Sequence, residues 1–393
     1  MLKQHSLYLE FGVSSRSSSR TPNNLKYISV FIFLGFLFFC SHAVIAKPYT
    51  PKHESVVATW EPVLNSNIDP KIKLLSESQR LSKAQDYLER AGQPGEARLY
   101  GLAEAVLKPV IESGPQDIQT WLIWAKIQQH QHAFELALEA LTHVFAQDPK
   151  NQNAHLMAAR IHLIQDNPSA ARAACLQLLG TADLLTTSAC ALEVAGVEGP
   201  LQESYQQLTK LVRAQGLPND SRASWVVQIL ADMAMRLDKP DEAVDWLDQQ
   251  LASSDVGYLA QWGDAQLANH SPQKVVDYFA PVLEKAPAID DALLLRIAKA
   301  EQLTQGERWQ ALMAQHIQLR ELRHDTQHAA DLARYYLDIK PKPEKALYWA
   351  EVNWRVAREP YDKALLSRAR KIQPQLKSSP GNNSATLTSE QEH

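Results

Sequence analysis

The chain has 393 residues and a formal net charge of −4, which gives room for several ordinary domains or for one elongated array. Residues 1–46 carry four Lys/Arg and one Glu, a net charge of +3, so the remainder carries −7. An acidic chain without clustered Lys or Arg is a poor candidate for binding nucleic acid or anionic lipid.

The N-terminus has the pattern of a secretory signal. Basic residues precede the apolar run VFIFLGFLFFC at 30–40, which is followed by the small-residue stretch SHAVIA at 41–46. This pattern predicts cleavage after Ala46, with Ala43 as the alternative site. We therefore expect an exported, periplasmic protein. If the signal stays uncleaved, 27–46 would anchor the array to the inner membrane. The Pro-containing residues 47–70 are predicted to form an extended linker.

A proline followed three residues later by a small residue recurs along the chain. Proline fits the first turn of a helix, because its missing N–H has no helical partner there and its φ suits the helix. Residues 134–145 lack the proline, but their apolar side chains follow the i, i+3, i+4 spacing of an amphipathic helix. The proline-containing pairs are Pro94–Ala97, Pro168–Ala171, Pro240–Ala243, Pro272–Val275 and Pro343–Ala346.

The small residues also mark a period. The positions of Ala137 and Ala171 differ by 34, and the gap of 72 from Ala171 to Ala243 has room for two units. A decayed copy at 198–211 supplies Ser204 for the missing position. The small residues, one for each recognised unit, are Ala97, Ala137, Ala171, Ala243, Val275, Ala311 and Ala346.

A period near 34 built from two helices resembles the tetratricopeptide repeat (TPR) family. In the unit 118–151, residues of the family pattern are Trp121, Trp124, Ala125, Ala137, Leu141 and Pro149; in 256–287 they are Leu259, Trp262, Gly263, Val275, Phe279 and Pro287. The resemblance implies an all-α fold, a right-handed α-solenoid of about seven to eight stacked helix-turn-helix units over 71–372. The stack would end in a polar capping helix, and 373–393 is predicted to be a disordered tail.

Family members usually bind peptides on the concave face, which the first helices of the units line. The resemblance therefore implies a protein or peptide partner and a scaffold role in an envelope-associated complex. Lys126 and Arg160 occupy equivalent places in adjacent units and would form a cationic edge for an acidic ligand. The residues implied for this face are Gln119, Lys126, Gln129, Asn153, Arg160, Trp225, Gln228, Asp232, Asp264, Arg296 and Asp331.

Two sets of residues suggest chemistry instead of binding alone. Ser271 and Lys274 match the SxxK spacing of serine acyl-enzymes, although Ser271 also suits a helix N-cap. His324 and His328 have an i, i+4 spacing that can bind zinc, but a third ligand is evident only if His316 approaches them. The companion motifs of the serine acyl-enzymes are missing. The sequence therefore favours a protein that is not an enzyme and that needs no cofactor. An array that acts by self-association is a further alternative.

Cys175 and Cys190 are the two cysteines left after signal cleavage. The repeat phase places Cys175 on the second helix of one unit and Cys190 on the first helix of the next. These helices pack together, so the pair either forms a disulfide or supplies two small buried side chains.

Overall fold

The computed structural model describes residues 75–115, 117–253 and 255–372. The predicted signal (1–46), linker (47–70) and tail (373–393) lie outside the described residues. In the described part, 17 α-helices are joined by short connections and no strand occurs. They are α1 (Glu77–Ala91), α2 (Arg98–Glu112), α3 (Ile118–His130), α4 (Phe134–Gln147), α5 (Gln152–Ile164), α6 (Pro168–Leu176), α7 (Leu184–Glu198), α8 (Leu201–Gln215), α9 (Arg222–Arg236), α10 (Pro240–Leu247), α11 (Val256–Ala268), α12 (Pro272–Lys285), α13 (Asp291–Leu303), α14 (Arg308–Leu322), α15 (Ala329–Asp338), α16 (Pro343–Trp354) and α17 (Pro360–Ile372).

The helices pack as eight consecutive hairpins, from α1–α2 to α15–α16, and α17 packs on the last one. Each first helix also contacts the first helix of the next hairpin, so the hairpins form one stack. The predicted all-α solenoid is confirmed.

The predicted proline position is confirmed in four second helices. Pro168, Pro240, Pro272 and Pro343 each begin a helix, namely α6, α10, α12 and α16. Proline is compatible with this position because the first N–H groups of a helix have no intrahelical acceptor.

Five hairpins share one type of turn, which the sequence analysis missed. The turn residue has a positive φ, as at His132 (59°) and Asp166 (59°). The next N–H bonds to a carbonyl five residues back: Ala133 N donates to Gln128 O over 2.9 Å. This is a Schellman motif, which caps the C-terminus of the first helix. Its positive-φ residues are His132, Asp166, Asp238, His270 and Gln305.

The small-residue series marks the helix contacts at most but not all positions. Ala137, Ala171, Ala243, Val275 and Ala346 are all fully buried. Ala97 and Ala311, in contrast, are exposed. Ala103, one repeat period before Ala137, is fully buried, and Trp309, one period after Val275, is 4% exposed. The register is therefore displaced in the α1–α2 and α13–α14 hairpins.

The stack winds so that hairpins five or six apart touch. The N–H of Gly95, in the α1–α2 turn, donates to Asp290 Oδ2 over 2.6 Å. Gly95 has a φ of +81°, and a Cβ there would lie 2.6 Å from Ala288 O. Only glycine fits this approach. A second contact of the same kind joins Arg358 N to Ile164 O, 2.8 Å apart.

Candidate functional site

The first helices of six hairpins, α5 to α15, surround one cavity of about 490 Å³. We call it the inner cavity. Residues 359–362, at the start of α17, form part of its wall. The lining residues are Arg160, Leu163, Glu193, Val197, Trp225, Gln228, Ile229, Asp232, Gly257, Ala260, Gln261, Asp264, Arg296, Arg334, Glu359, Pro360, Tyr361 and Asp362.

The inner cavity brings together six of the residues that the resemblance implied. They are Arg160, Trp225, Gln228, Asp232, Asp264 and Arg296. Asp331 does not line the cavity but lies 3.5 Å from Arg296 Nη1. The remaining four lie elsewhere: Gln119, Lys126 and Asn153 are exposed, and Gln129 is half-buried.

The segment 358–362 (Arg-Glu-Pro-Tyr-Asp) comprises the end of the α16–α17 connection and the first turn of α17, and we call it the plug. Its last four residues form part of the wall of the inner cavity. Arg358 N donates to the last carbonyl of α5, that of Ile164. One turn earlier on α5, Arg160 Nη1 lies 2.8 Å from Glu359 Oε1. Asp362, in the first turn of α17, accepts at Oδ2 from the N–H of Glu359 over 3.0 Å. The plug therefore contacts α5 by one backbone hydrogen bond and one ion pair.

Arg160 has two carboxylate partners inside the chain, Glu359 and, at 3.3 Å, Glu193. Glu359 is the larger cause of the raised Arg160 pKa. Burial raises the pKa of Glu193 to about 7, against the opposing effect of Arg160, and Asp232 raises it further. Burial also raises the pKa of Asp232 and of Glu359. Three carboxyl groups thus share the neighbourhood of one guanidinium, and burial outweighs ion pairing for each of them.

The opposite wall of the inner cavity is an ion-pair network across three hairpins. Asp264 of α11 accepts from Arg296 Nε (3.1 Å) and Nη2 (2.7 Å), and from Arg334 Nη1 (3.1 Å). Burial acts to raise the pKa of Asp264, but Arg296 and Arg334 together hold it at about 2. A bidentate pair of this kind fixes the relative position of α11 and α13.

Trp225 has a double role. It lines the inner cavity and packs, partly buried, against hydrophobic clusters on both sides of it. The indole therefore joins the α3–α7 part of the core to the α7–α17 part while presenting surface to the cavity.

Sequence reasoning missed Glu193, Arg334, Glu359 and Tyr361. A signal for Glu193 existed, because it follows Arg160 by nearly one repeat period, the same step that joins Ala171 to Ser204. The fourth repeat matches the family pattern poorly, so the pattern alone does not predict its inner-face residue.

The residues of the enzyme alternatives have ordinary structural contacts. Ser271 Oγ donates to Asn269 O over 3.2 Å, within its own turn, and Lys274 is exposed. His324 has a φ of 50° in the turn after α14, whereas His328 immediately precedes α15. The two histidines are thus not on one helix face.

The nearby histidine ligand candidates each contact a carboxylate. His328 Nδ1 lies 3.3 Å from Asp325, and His316 Nδ1 lies 2.6 Å from Asp291 Oδ1. Among the described residues, no group of three or more His, Cys, Asp or Glu side chains could hold a metal ion.

Cys175 of α6 and Cys190 of α7 form a disulfide in the structure, with Cα atoms 5.6 Å apart. The bond links the second hairpin helix of one repeat to the first helix of the next. Within the part of the chain that is described, no helix combines the length and apolar character needed to cross a bilayer.

No protein-family model and no curated protein matches the chain. Solved structures similar to it include the Cut9–Hcn1 hetero-tetramer of the APC/C, with 16% identity and a TM-score of 0.44 over 78% of this chain and 58% of that chain. PilW, a type IV pilus biogenesis factor, has 14% identity and a TM-score of 0.36 over 55% of this chain and 94% of that one. A tetratricopeptide repeat protein from Parabacteroides merdae has 13% identity and a TM-score of 0.35 over 75% and 98%. By the packing of its own helices, the chain is an all-α solenoid of stacked helical hairpins.

Proposed function

We propose that the protein is an exported scaffold that binds a protein or peptide partner in the inner cavity and so serves an envelope-associated complex. The observation that carries the proposal is the inner cavity itself. Six first helices present polar and charged side chains there, around about 490 Å³ of space. A concave site with a few convergent polar groups is the usual form of a binding site.

Two further features support the proposal. The N-terminal pattern at 1–46 favours export. A disulfide such as Cys175–Cys190 is typical of proteins that fold in an oxidising compartment. Cell fractionation and N-terminal sequencing would test export, with Lys47 expected as the first residue of the mature protein.

Binding is tested with the full chain, tagged at its C-terminus and used for affinity capture from an envelope extract. Trp225→Ala/Gln228→Ala changes the inner cavity, and Glu139→Ala/Gln147→Ala changes exposed residues of α4 as a matched control. We expect a partner that is recovered by wild type and by the α4 control but is reduced in the cavity variant. Equal recovery by all three proteins, at unchanged helical circular dichroism, would contradict binding at this site.

A further inference from the structure

We infer that the plug, residues 358–362, covers part of the binding surface of the inner cavity as an internal ligand, and that the partner is a peptide of the same chemistry. Such a peptide carries a carboxylate followed, two residues later, by an aromatic side chain. This inference rests on the proposed function of the inner cavity.

The plug contacts the cavity in the way a bound peptide contacts a receptor. Its backbone N–H at Arg358 satisfies the carbonyl of Ile164, one of the carbonyls that a helix C-terminus leaves without a helical partner. Its carboxylate at Glu359 pairs with Arg160 over 2.8 Å. These contacts lie on α5, whose hairpin is five earlier in the chain than the α15–α16 hairpin to which α17 is attached.

The aromatic side chain of the plug stands between two spaces. Tyr361 lines the inner cavity and also a second cavity of about 240 Å³, and Asp264, Arg296 and Arg334 line both. Tyr361 keeps 36% of its surface accessible. A side chain with open space on both sides is not part of the close-packed core, so a ligand can take its place without repacking that core.

The charges of the cavity determine what the displacing group must be. Arg160 has Glu359 as its closer carboxylate partner, at 2.8 Å against 3.3 Å for Glu193. When Glu359 leaves, a carboxylate from the partner can take its position on Arg160. A basic group there would instead face the guanidinium, which is repulsive.

Because the plug is tethered, it competes at a high effective concentration, of millimolar order for a short tether. The state in which the plug has left α5 is then only a minor one, and the measured affinity for an external peptide falls by the fraction of molecules in that state. Removing the plug side chains should therefore raise the affinity.

The test uses full-length protein and a fluorescein-labelled peptide with the sequence of residues 355–364, RVAREPYDKA. Fluorescence anisotropy compares wild type with an opened variant, Glu359→Ala/Tyr361→Ala. The matched control is Lys363→Ala/Ser367→Ala, at exposed positions of α17. We expect the opened variant to bind at least about tenfold more tightly than wild type and the control.

Two further binding measurements test which chemical groups of the peptide are recognised. A peptide with Lys in place of the glutamate and Ser in place of the tyrosine should bind the opened variant about tenfold more weakly or worse. Adding Arg160→Ala to the opened variant should have a similar effect on the original peptide. If helical circular dichroism shows that the opened variant is unfolded, Glu359→Gln replaces it, with a smaller gain expected.

Equal affinity of wild type and a folded opened variant, or no binding by either, would overturn the inference. So would tighter binding of the basic peptide, or peptide-independent dimers of the opened variant in which two copies exchange α17. Recovery of the same envelope partner by wild type and opened variant, without peptide binding, would refute the internal ligand and leave the proposed function standing. If the peptide binds as expected but no envelope partner is captured, the internal ligand would be supported and the proposed function refuted.

Discussion

Replacing Asp264 by Asn tests the network that joins α11, α13 and α15. Asn keeps the size of the side chain but removes the charge that pairs with Arg296 and Arg334. Arg296, whose side chain is only 8% exposed, would keep the carbonyl of Ala292 at 2.9 Å and the carboxylate of Asp331 at 3.5 Å.

The magnitude follows from the lowered pKa of Asp264. A folded value of about 2 against the ordinary 3.8 corresponds to roughly 2.4 kcal/mol at about 1.36 kcal/mol for each pKa unit. The Asp264 side chain is 32% exposed, so solvent screening reduces this contribution to about 1–2 kcal/mol. Leaving the buried Arg296 poorly paired adds a further cost. We expect Asp264→Asn to lower the free energy of unfolding by about 2–3 kcal/mol near pH 7.

The assay is urea unfolding followed by far-UV circular dichroism, with Asp277→Asn, exposed on α12, as the control. Because the Asp264 pKa is depressed, its stabilisation is complete above 3.8 and is lost as the pH falls towards 2. The gap between wild type and Asp264→Asn should therefore narrow at about pH 3. Solenoids can unfold in parts, so the slopes of the transitions must agree before midpoints are compared. Equal midpoints for the Asp264 and Asp277 variants at neutral pH would refute the reasoning.

Ala137→Leu should destabilise by about 1–3 kcal/mol through overpacking, whereas Ala146→Leu, exposed on the same helix, should change urea stability by less than about 0.5 kcal/mol; equal effects would contradict the register. Gly101→Ala should raise urea stability by about 0.5–1 kcal/mol, since an added Cβ meets nothing within 4 Å; a decrease would argue against an exposed helical site. Cys190→Ser should lower the unfolding free energy by roughly 3 kcal/mol of lost chain constraint, and free-thiol labelling of unreduced wild type would count against the disulfide. Glu193 has a pKa raised from 4.5 to about 7, so its protonated form is favoured in the fold and stability falls as the pH rises from 4.5 to about 7. Glu193→Gln should therefore make the urea midpoint depend less on pH between about pH 5 and 7, and an unchanged pH dependence would contradict the burial of this carboxyl.

Local chemistry explains why most of the repeat could be predicted. Proline is favoured at the first helical position and a small residue where two helices approach closely, so each pair marks its own helix independently of the rest. The register is displaced in two hairpins, α1–α2 and α13–α14, and the contacts explain it in the α13–α14 hairpin, which lacks the proline. Its second helix begins at Arg308, and Glu301 Oε2 accepts from the N–H groups of Trp309 (2.7 Å) and Gln310 (2.9 Å). A side chain from the first helix thus does the capping, and Trp309 takes the buried position in place of Ala311.

The contacts between distant hairpins could not be predicted in this way. Arg160 was placed on the inner face by its repeat phase, but its partner Glu359 lies near the other end of the stack. Whether the two meet depends on the small rotation between successive hairpins, added over five of them, and no local pattern specifies that sum.

Lys126 and Arg160 show what repeat phase can and cannot determine. They occupy equivalent positions one repeat period apart, each on the first helix of a hairpin. Lys126 is exposed, whereas Arg160 lies between Glu193 and Glu359 in the inner cavity. Phase gives the direction in which a side chain leaves its helix, but the position of the hairpin along the winding stack decides what that side chain meets. In a solenoid whose hairpins touch five or six apart, residues near one end can therefore form a site with residues near the other. The charge pattern of a single repeat is then insufficient to predict the ligand, because part of the site comes from distant residues of the chain.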